Sequence, residues 1–158
     1  MGKIINYEQI PTLTKQLRAG GKRVVLVGGC FDILHAGHIE FLERAKRLGD
    51  ILIILLENDE KVRLLKGDGR PVNSENSRSI ILTKLSIVDY VIRLPYLKND
   101  ADYEKIVKKI EPDIIAKTGG NKIYDWEKKY VMETGANIKI LKRNEKYSTT
   151  RLIKKIRL

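Results

Sequence analysis

Gly28-Gly29-Cys30-Phe31-Asp32-Ile33-Leu34-His35-Ala36-Gly37-His38 is the stretch on which the reading of this chain turns. Before it stands Arg23-Val-Val-Leu-Val, a short apolar run closed by glycine, which reads as a buried strand. After it Ile39, Leu42, Ala45 and Leu48 fall on one stripe, predicting a helix from His38 to Leu48 that Gly49-Asp50 ends. A glycine-rich joint between strand and helix is where a parallel sheet places an anion. Glycine lets the backbone come close to phosphate oxygens, and the helix start offers unpaired N–H groups and a positive dipole end. The joint is neither G-x-G-x-x-G nor G-x-x-x-x-G-K-[ST], so neither dinucleotide nor P-loop binding follows from it. His35 and His38 are the 2 histidines of the chain, set across an Ala-Gly step small enough to leave room for phosphates.

Working outward, the same alternation recurs. Thr12 to Ala19 reads as a helix with Thr12 as cap and Gly20-Gly21 as stop, and Ile51–Leu56 as a second buried strand. Ser74 to Leu85 (Ser74 capping), Ala101 to Ile110 (blocked by Pro112), Asp125 to Thr134 and Thr149 to Ile156 read as helices. Tyr90–Leu94, Asp113–Ala116 and Asn137–Leu141 complete a set of five strands. Strands alternating with helices imply right-handed crossovers and an α/β, doubly wound, mostly parallel sheet with helices on both faces. Ligands of such a sheet sit beyond the carboxyl ends of its strands, where the strand order reverses. No repeat or linker divides the 158 residues, so 1–158 is expected to be a single domain.

Composition narrows the function classes. No stretch approaches a membrane-spanning run, and Met1-Gly-Lys-Ile-Ile-Asn lacks the pattern of a secretory signal. The 1 cysteine, Cys30, forms no internal disulfide, which suits a cytoplasmic setting. A net charge of +11 favours a polyanionic partner, although a solvated basic surface gives the same number. The lysines are dispersed rather than gathered in a tail, which speaks against nucleic acid.

Several local readings compete at the candidate site. His35 and His38 can donate to triphosphate oxygens as charge builds, can serve structure, or can join Cys30 and Asp32 around zinc; the glycines favour phosphate and no metal site. Cys30 beside His35 is also a thiol whose pKa a glycine-rich setting can lower. Ser148-Thr149-Thr150 supplies hydroxyls and helix-start amides, as an anion site or as a plain cap. Lys66-Gly-Asp-Gly-Arg70 reads as a phosphate-gripping loop or a solvated turn, and Arg78 as a phosphate ligand or a partner of Glu75.

Gly29–His38 resembles the HxGH signature of the cytidylyltransferase-like nucleotidyltransferases. The resemblance continues through Phe41–Asp50, Lys66–Asn73, Arg78, Val88–Val91 and Pro112–Ile115 to Ser148-Thr-Thr150. It implies a Rossmann-like fold and transfer of a nucleoside monophosphate from a nucleoside triphosphate, with Mg²⁺, to a phosphorylated small molecule. By the same resemblance His35, His38 and Lys66 are catalytic. Gly29, Cys30, Phe31, Asp32, Arg143, Ser148, Thr149 and Thr150 join the histidines around the nucleotide, and Lys66 and Arg78 lie near substrate phosphate. The family also implies a homodimer.

The acceptor divides the sequence. The Cys30–His38, Leu65–Asn73 and Ser148–Thr150 blocks are most similar to adenylyltransferases acting on heptose 1-phosphate, but Ala116-Lys-Thr-Gly-Gly-Asn-Lys122 departs from their Val-Lys-Gly-Gly-Asp by an inserted residue and a missing aspartate. Arg143-Asn-Glu-Lys-Tyr-Ser-Thr-Thr150 resembles instead the Arg-Thr-Glu-Gly-Ile-Ser-Thr-Thr of glycerol-3-phosphate cytidylyltransferases. The expectation is ATP and a sugar phosphate, with CTP and an alcohol phosphate second. A nucleotide- or nucleic-acid-binding protein that keeps the fold without catalysis is third.

Overall fold

A computed structural model describes residues 1–142, 144 and 146–156. In chain order it contains β1 (Lys3–Ile5), α1 (Ile10–Ala19), β2 (Val24–Gly29), α2 (Ala36–Lys46), β3 (Ile51–Leu56), α3 (Asp59–Lys66) and α4 (Glu75–Thr83). There follow β4 (Tyr90–Arg93), α5 (Asp100–Ile110), β5 (Ile114–Thr118), α6 (Asp125–Thr134), β6 (Asn137–Leu141) and α7 (Thr149–Ile156). The strands form one sheet in the order β1-β4-β3-β2-β5-β6, and every pairing is parallel.

The sheet therefore has six strands, not the five expected. The addition is β1, a three-residue edge strand paired with β4 alone. Three residues are too few to display an alternation, so no period marked it. The α3 helix was likewise not predicted. Val62 is its one buried residue, which leaves no apolar stripe to read. Its legible signal is at the start, where Asn58 Oδ1 accepts from the Lys61 amide at 2.8 Å and Asp59 and Glu60 fill the first turn. α1 starts at Ile10, ahead of Thr12, because Pro11 is accepted in a first turn whose N–H groups have no intrahelical partner. Ser74 caps α4 as expected, accepting from the Ser77 amide.

Strand residues alternate between two cores, as period two requires. Val24, Leu26, Ile53 and Leu55 pack with Leu13 and Leu17 of α1, Ile106, Val107 and Ile110 of α5 and Tyr130 of α6. Val25, Val27, Leu52, Ile54 and Leu56 face the other way, against Phe41, Leu42 and Ala45 of α2 and Leu82 of α4. Both faces are thus covered, which is why the strands read as unbroken apolar runs. At the amino edge of the sheet Asp50, Asp89 and Asp113 accept from the amides of Arg23, Leu52 and Val24 at 2.7 to 2.8 Å. In two of the resembling blocks, Val88–Val91 and Pro112–Ile115, Asp89 and Asp113 take this structural part at the amino edge of the sheet.

The strand order reverses between β2 and β5. The chain leaves β2 toward β3 and β4 on one side and reaches β5 and β6 on the other, opening a crevice at the carboxyl ends of the two central strands.

Candidate active site

The Gly28–His38 joint leaves β2 directly into that crevice. Phe31 takes φ 45°, a left-handed conformation that is costly outside glycine, and its buried ring holds it there. The turn brings the Phe31 ring to 5.4 Å from that of His38. His35 occupies the N-cap position of α2, and its ring stacks on His38 with centroids 3.9 Å apart and planes 19° from parallel. Gly37 keeps the space between them tight but open, since a Cβ there would lie 3.2 Å from the His35 ring and 3.1 Å from Tyr147 Cβ and would ask those side chains to give by a few tenths of an ångström.

A pocket of about 310 Å³ lies over this turn. Gly29, Cys30, Phe31, Asp32, His35 and His38 line it from β2 and α2, Lys66 from the end of α3, and Ser148, Thr149 and Thr150 from the start of α7. Residues far apart in sequence thus face one cavity, with two helix N-termini at its rim. Gly67 lets the chain turn off α3 at φ 87° just after Lys66. Thr149 Oγ1 donates to the Ile33 carbonyl at 3.0 Å, fastening α7 to the joint. Asn144 Nδ2 donates to Glu40 at 2.9 Å and fastens the preceding segment to α2. Arg143 lies outside the described residues.

Four residues of the expected site have partners that the sequence did not show, and two of them, Asp32 and Cys30, line the pocket as expected. Asp32 is 3% exposed and works as a clamp. Its Oδ1 accepts from the Val72 and Asn73 amides at 2.8 and 2.9 Å, and its Oδ2 pairs with Arg70. Burial alone would push this carboxyl up; the two amides and the Arg70 guanidinium outweigh it and hold the group below its ordinary value. Arg70, read as part of a phosphate-gripping loop, is thereby spent on Asp32, although it still lines the pocket.

Arg78 is 1% exposed and is not among the pocket's lining residues. It donates to the Cys30 and Asn73 carbonyls and, at 2.7 Å, to Asp59. It supports the floor of the site instead of meeting substrate phosphate, and its carboxylate is Asp59, not Glu75, which stands 4.0 Å from Arg93. Cys30, finally, has its thiol pushed up by burial, with Glu57 adding to the shift against the pull of Lys66, Arg78 and Arg70. A protonated thiol is a poor nucleophile, so the lowered pKa considered for it is not met. Among the described residues no three His, Cys, Asp or Glu side chains gather as a metal site.

Sequence reasoning missed Asn121, Lys142 and Tyr147, which also line the pocket. Tyr147 sits beside the Ser-Thr-Thr block, and its ring stacks toward His35 at 6.2 Å. Lys142 and Asn121 follow β6 and β5, so the carboxyl-edge rule was the available signal.

An open parallel sheet with this glycine-rich joint and two helix starts facing one pocket at its switch point has the build of an α/β domain suited to a phosphate-bearing ligand. Residues 26–155 match the cytidylyltransferase-like family, and the chain belongs to it. It is 39% identical over 156 residues to the bifunctional protein HldE of Wolinella succinogenes, covering 98% of this chain and 31% of that protein. The bifunctional protein HldE of Shewanella sediminis is 39% identical over 153 residues, covering 96% and 31%. The chain thus spans about a third of these relatives. The crystal structure of the lipopolysaccharide core biosynthesis protein from Thermoplasma volcanium GSS1 superposes with a TM-score of 0.63 at 32% identity, over 81% of this chain and 100% of that one. Pantoate-beta-alanine ligase from Francisella tularensis, at 14% identity and a TM-score of 0.60, over 97% of this chain and 76% of that one, shares the fold. Among the described residues no helix is long and apolar enough to cross a membrane.

Proposed function

We propose that the chain transfers the adenylyl group of ATP to the phosphate of a heptose 1-phosphate-like sugar, releasing pyrophosphate. The observation that carries this reading is the convergence of His35, His38, Lys66 and the Ser148–Thr150 helix start on one pocket. A phosphate monoester oxygen is already nucleophilic, so the reaction needs no strong base. That oxygen attacks the α-phosphorus in line. The bond from the α-phosphorus to the bridging oxygen breaks, and its electron pair leaves with pyrophosphate. Catalysis is then positioning and neutralisation of the charge that builds on the leaving group. The stacked imidazoles, Lys66 and the first turn of α7 supply donors for it, and Mg²⁺ enters as part of the triphosphate substrate. The raised thiol of Cys30 favours direct transfer over a covalent intermediate.

The blocks from Gly29 to Asn73 support ATP and a sugar phosphate, as does likeness to a lipopolysaccharide core biosynthesis protein. One observation favours a second reading, CTP with glycerol 3-phosphate: the Arg143–Thr150 signature at the other end of the chain. Pyrophosphate release with Mg²⁺, comparing ATP and CTP against heptose 1-phosphate, other sugar 1-phosphates and glycerol 3-phosphate, tests both. Release with ATP and a sugar phosphate is expected; release with CTP and glycerol 3-phosphate alone would select the second.

A further inference from the structure

A second cavity, of about 320 Å³, opens on the α5 and α6 side of the same sheet edge. Gly28, Phe41, Thr118 and Asn121 line both it and the phosphate pocket, so the two adjoin. Its chemistry is different. Lys117 Nζ is held between both oxygens of Glu127 at 2.7 and 2.6 Å, and Lys61 Nζ donates to the Leu97 carbonyl at 2.9 Å. Tyr124 and Trp126 stack at 6.4 Å in one wall. From the carboxyl end of β3 Glu57 joins the lining, its Oε1 accepting the Tyr103 hydroxyl at 2.9 Å. Glu57 Oε2 and Trp126 Nε1 are shielded from water and have no hydrogen-bond partner among the described residues.

A buried acceptor and a buried donor in an aromatic-walled space call for a ligand that both donates and accepts. Hydroxyl groups do both, whereas an ionised phosphate only accepts and would leave Glu57 Oε2 unmet. In-line attack adds direction. The acceptor's oxygen must approach the α-phosphorus opposite the leaving pyrophosphate, hence from across the rim that the two cavities share. The segment that departs from Val-Lys-Gly-Gly-Asp, from Ala116 through Asn121, forms part of this wall.

We infer that this second cavity takes the hydroxyl-bearing body of the phosphorylated acceptor, and that Glu57 selects that acceptor by accepting a hydrogen bond from one of its hydroxyls. The inference rests on the transfer reaction proposed above. A purine ring is the competing occupant, since its amino group could also meet Glu57. The test uses the full chain and its Glu57→Gln variant, with pyrophosphate release on the panel of sugar and polyol phosphates and ATP binding by calorimetry. Leaving one partner of a buried hydrogen bond unmet costs about tenfold in affinity. The variant's KM for the acceptor should therefore rise by about that factor, with the dissociation constant for ATP held within about twofold. Tyr103→Phe, which frees Oε1 without removing the carboxylate, should shift the same constant in the same direction by less, and keeps the question open to measurement if Glu57→Gln does not fold. Weaker ATP binding with an unchanged acceptor KM would assign the cavity to the nucleoside and overturn the inference. Unchanged constants throughout would overturn it too. Silence of the unaltered chain on the whole panel would instead sink the transfer reading, and this inference with it.

Discussion

Asp32 receives two backbone amides and the Arg70 guanidinium, and its own carbonyl accepts from Asn73 Nδ2 at 2.9 Å, so one residue ties the glycine-rich joint to the loop after α3. Its folded pKa lies below the ordinary value, so as pH falls the unfolded chain takes the proton first, near the usual value of about 3.9. The stability it contributes is complete above that pH and is lost as pH falls through the lower, folded value. Asp32→Asn should cost about 2 kcal/mol at neutral pH and lose this part of the acid transition, read by denaturant melts from pH 7 to about 2.5. An unchanged acid limb in the variant would show that Asp32 is not a stabilising carboxylate. His38 answers to a different measurement. Its ring faces the pocket, so His38→Ala should lower kcat by about a hundredfold or more with little change in melting temperature. Parallel losses of activity and stability would make the stacked pair a structural device instead.

At the scale of elements, α4 is fixed to the site through Arg78, whose guanidinium meets the Cys30 carbonyl within the joint, the Asn73 carbonyl just before α4 and the Asp59 carboxylate that opens α3. Removing a fully buried cation strands those acceptors, so Arg78→Met should destabilise the fold by about 3 kcal/mol or more. Thermal melting checks it; a stable variant with only a raised acceptor KM would return Arg78 to the role of phosphate ligand. That role was a fair reading from sequence, since an arginine on a helix is usually solvated and nothing local announces burial. The strands were legible for the opposite reason. β2 and β3 are buried on both faces, and an unbroken apolar run is what such burial leaves in a sequence. β1 and α3, with three residues and one buried residue respectively, leave no period to find. In the candidate site, the joint, Lys66 and Ser148–Thr150 were legible because local patterns mark them. Glu57, Tyr103 and Trp126 of the adjoining cavity were not, because only the packing of α5 and α6 against the sheet brings them together.

For the whole molecule, the net charge of +11 and the placement of the pocket pose one question: whether the field recruits substrate or merely solvates the surface. Screening separates the two. The distance over which exposed charges act shrinks from about 30 Å at 0.01 M salt to about 10 Å at 0.1 M and 3 Å at 1 M. Donors in direct contact with phosphate oxygens are screened much less than exposed lysines a turn or more away. If the dispersed lysines draw MgATP to the switch point, its KM should rise several-fold between about 0.02 and 0.5 M salt while kcat stays within about twofold. The histidines and the α7 helix start line the pocket itself, so whatever they contribute to binding or turnover should change little with salt. Initial rates across a salt series read both constants, with the nonionic osmolyte sucrose as the control for general solvent effects. A KM indifferent to salt would mean that affinity resides wholly in the short-range donors of the pocket, and that the basic surface is a solvated shell with no part in capture.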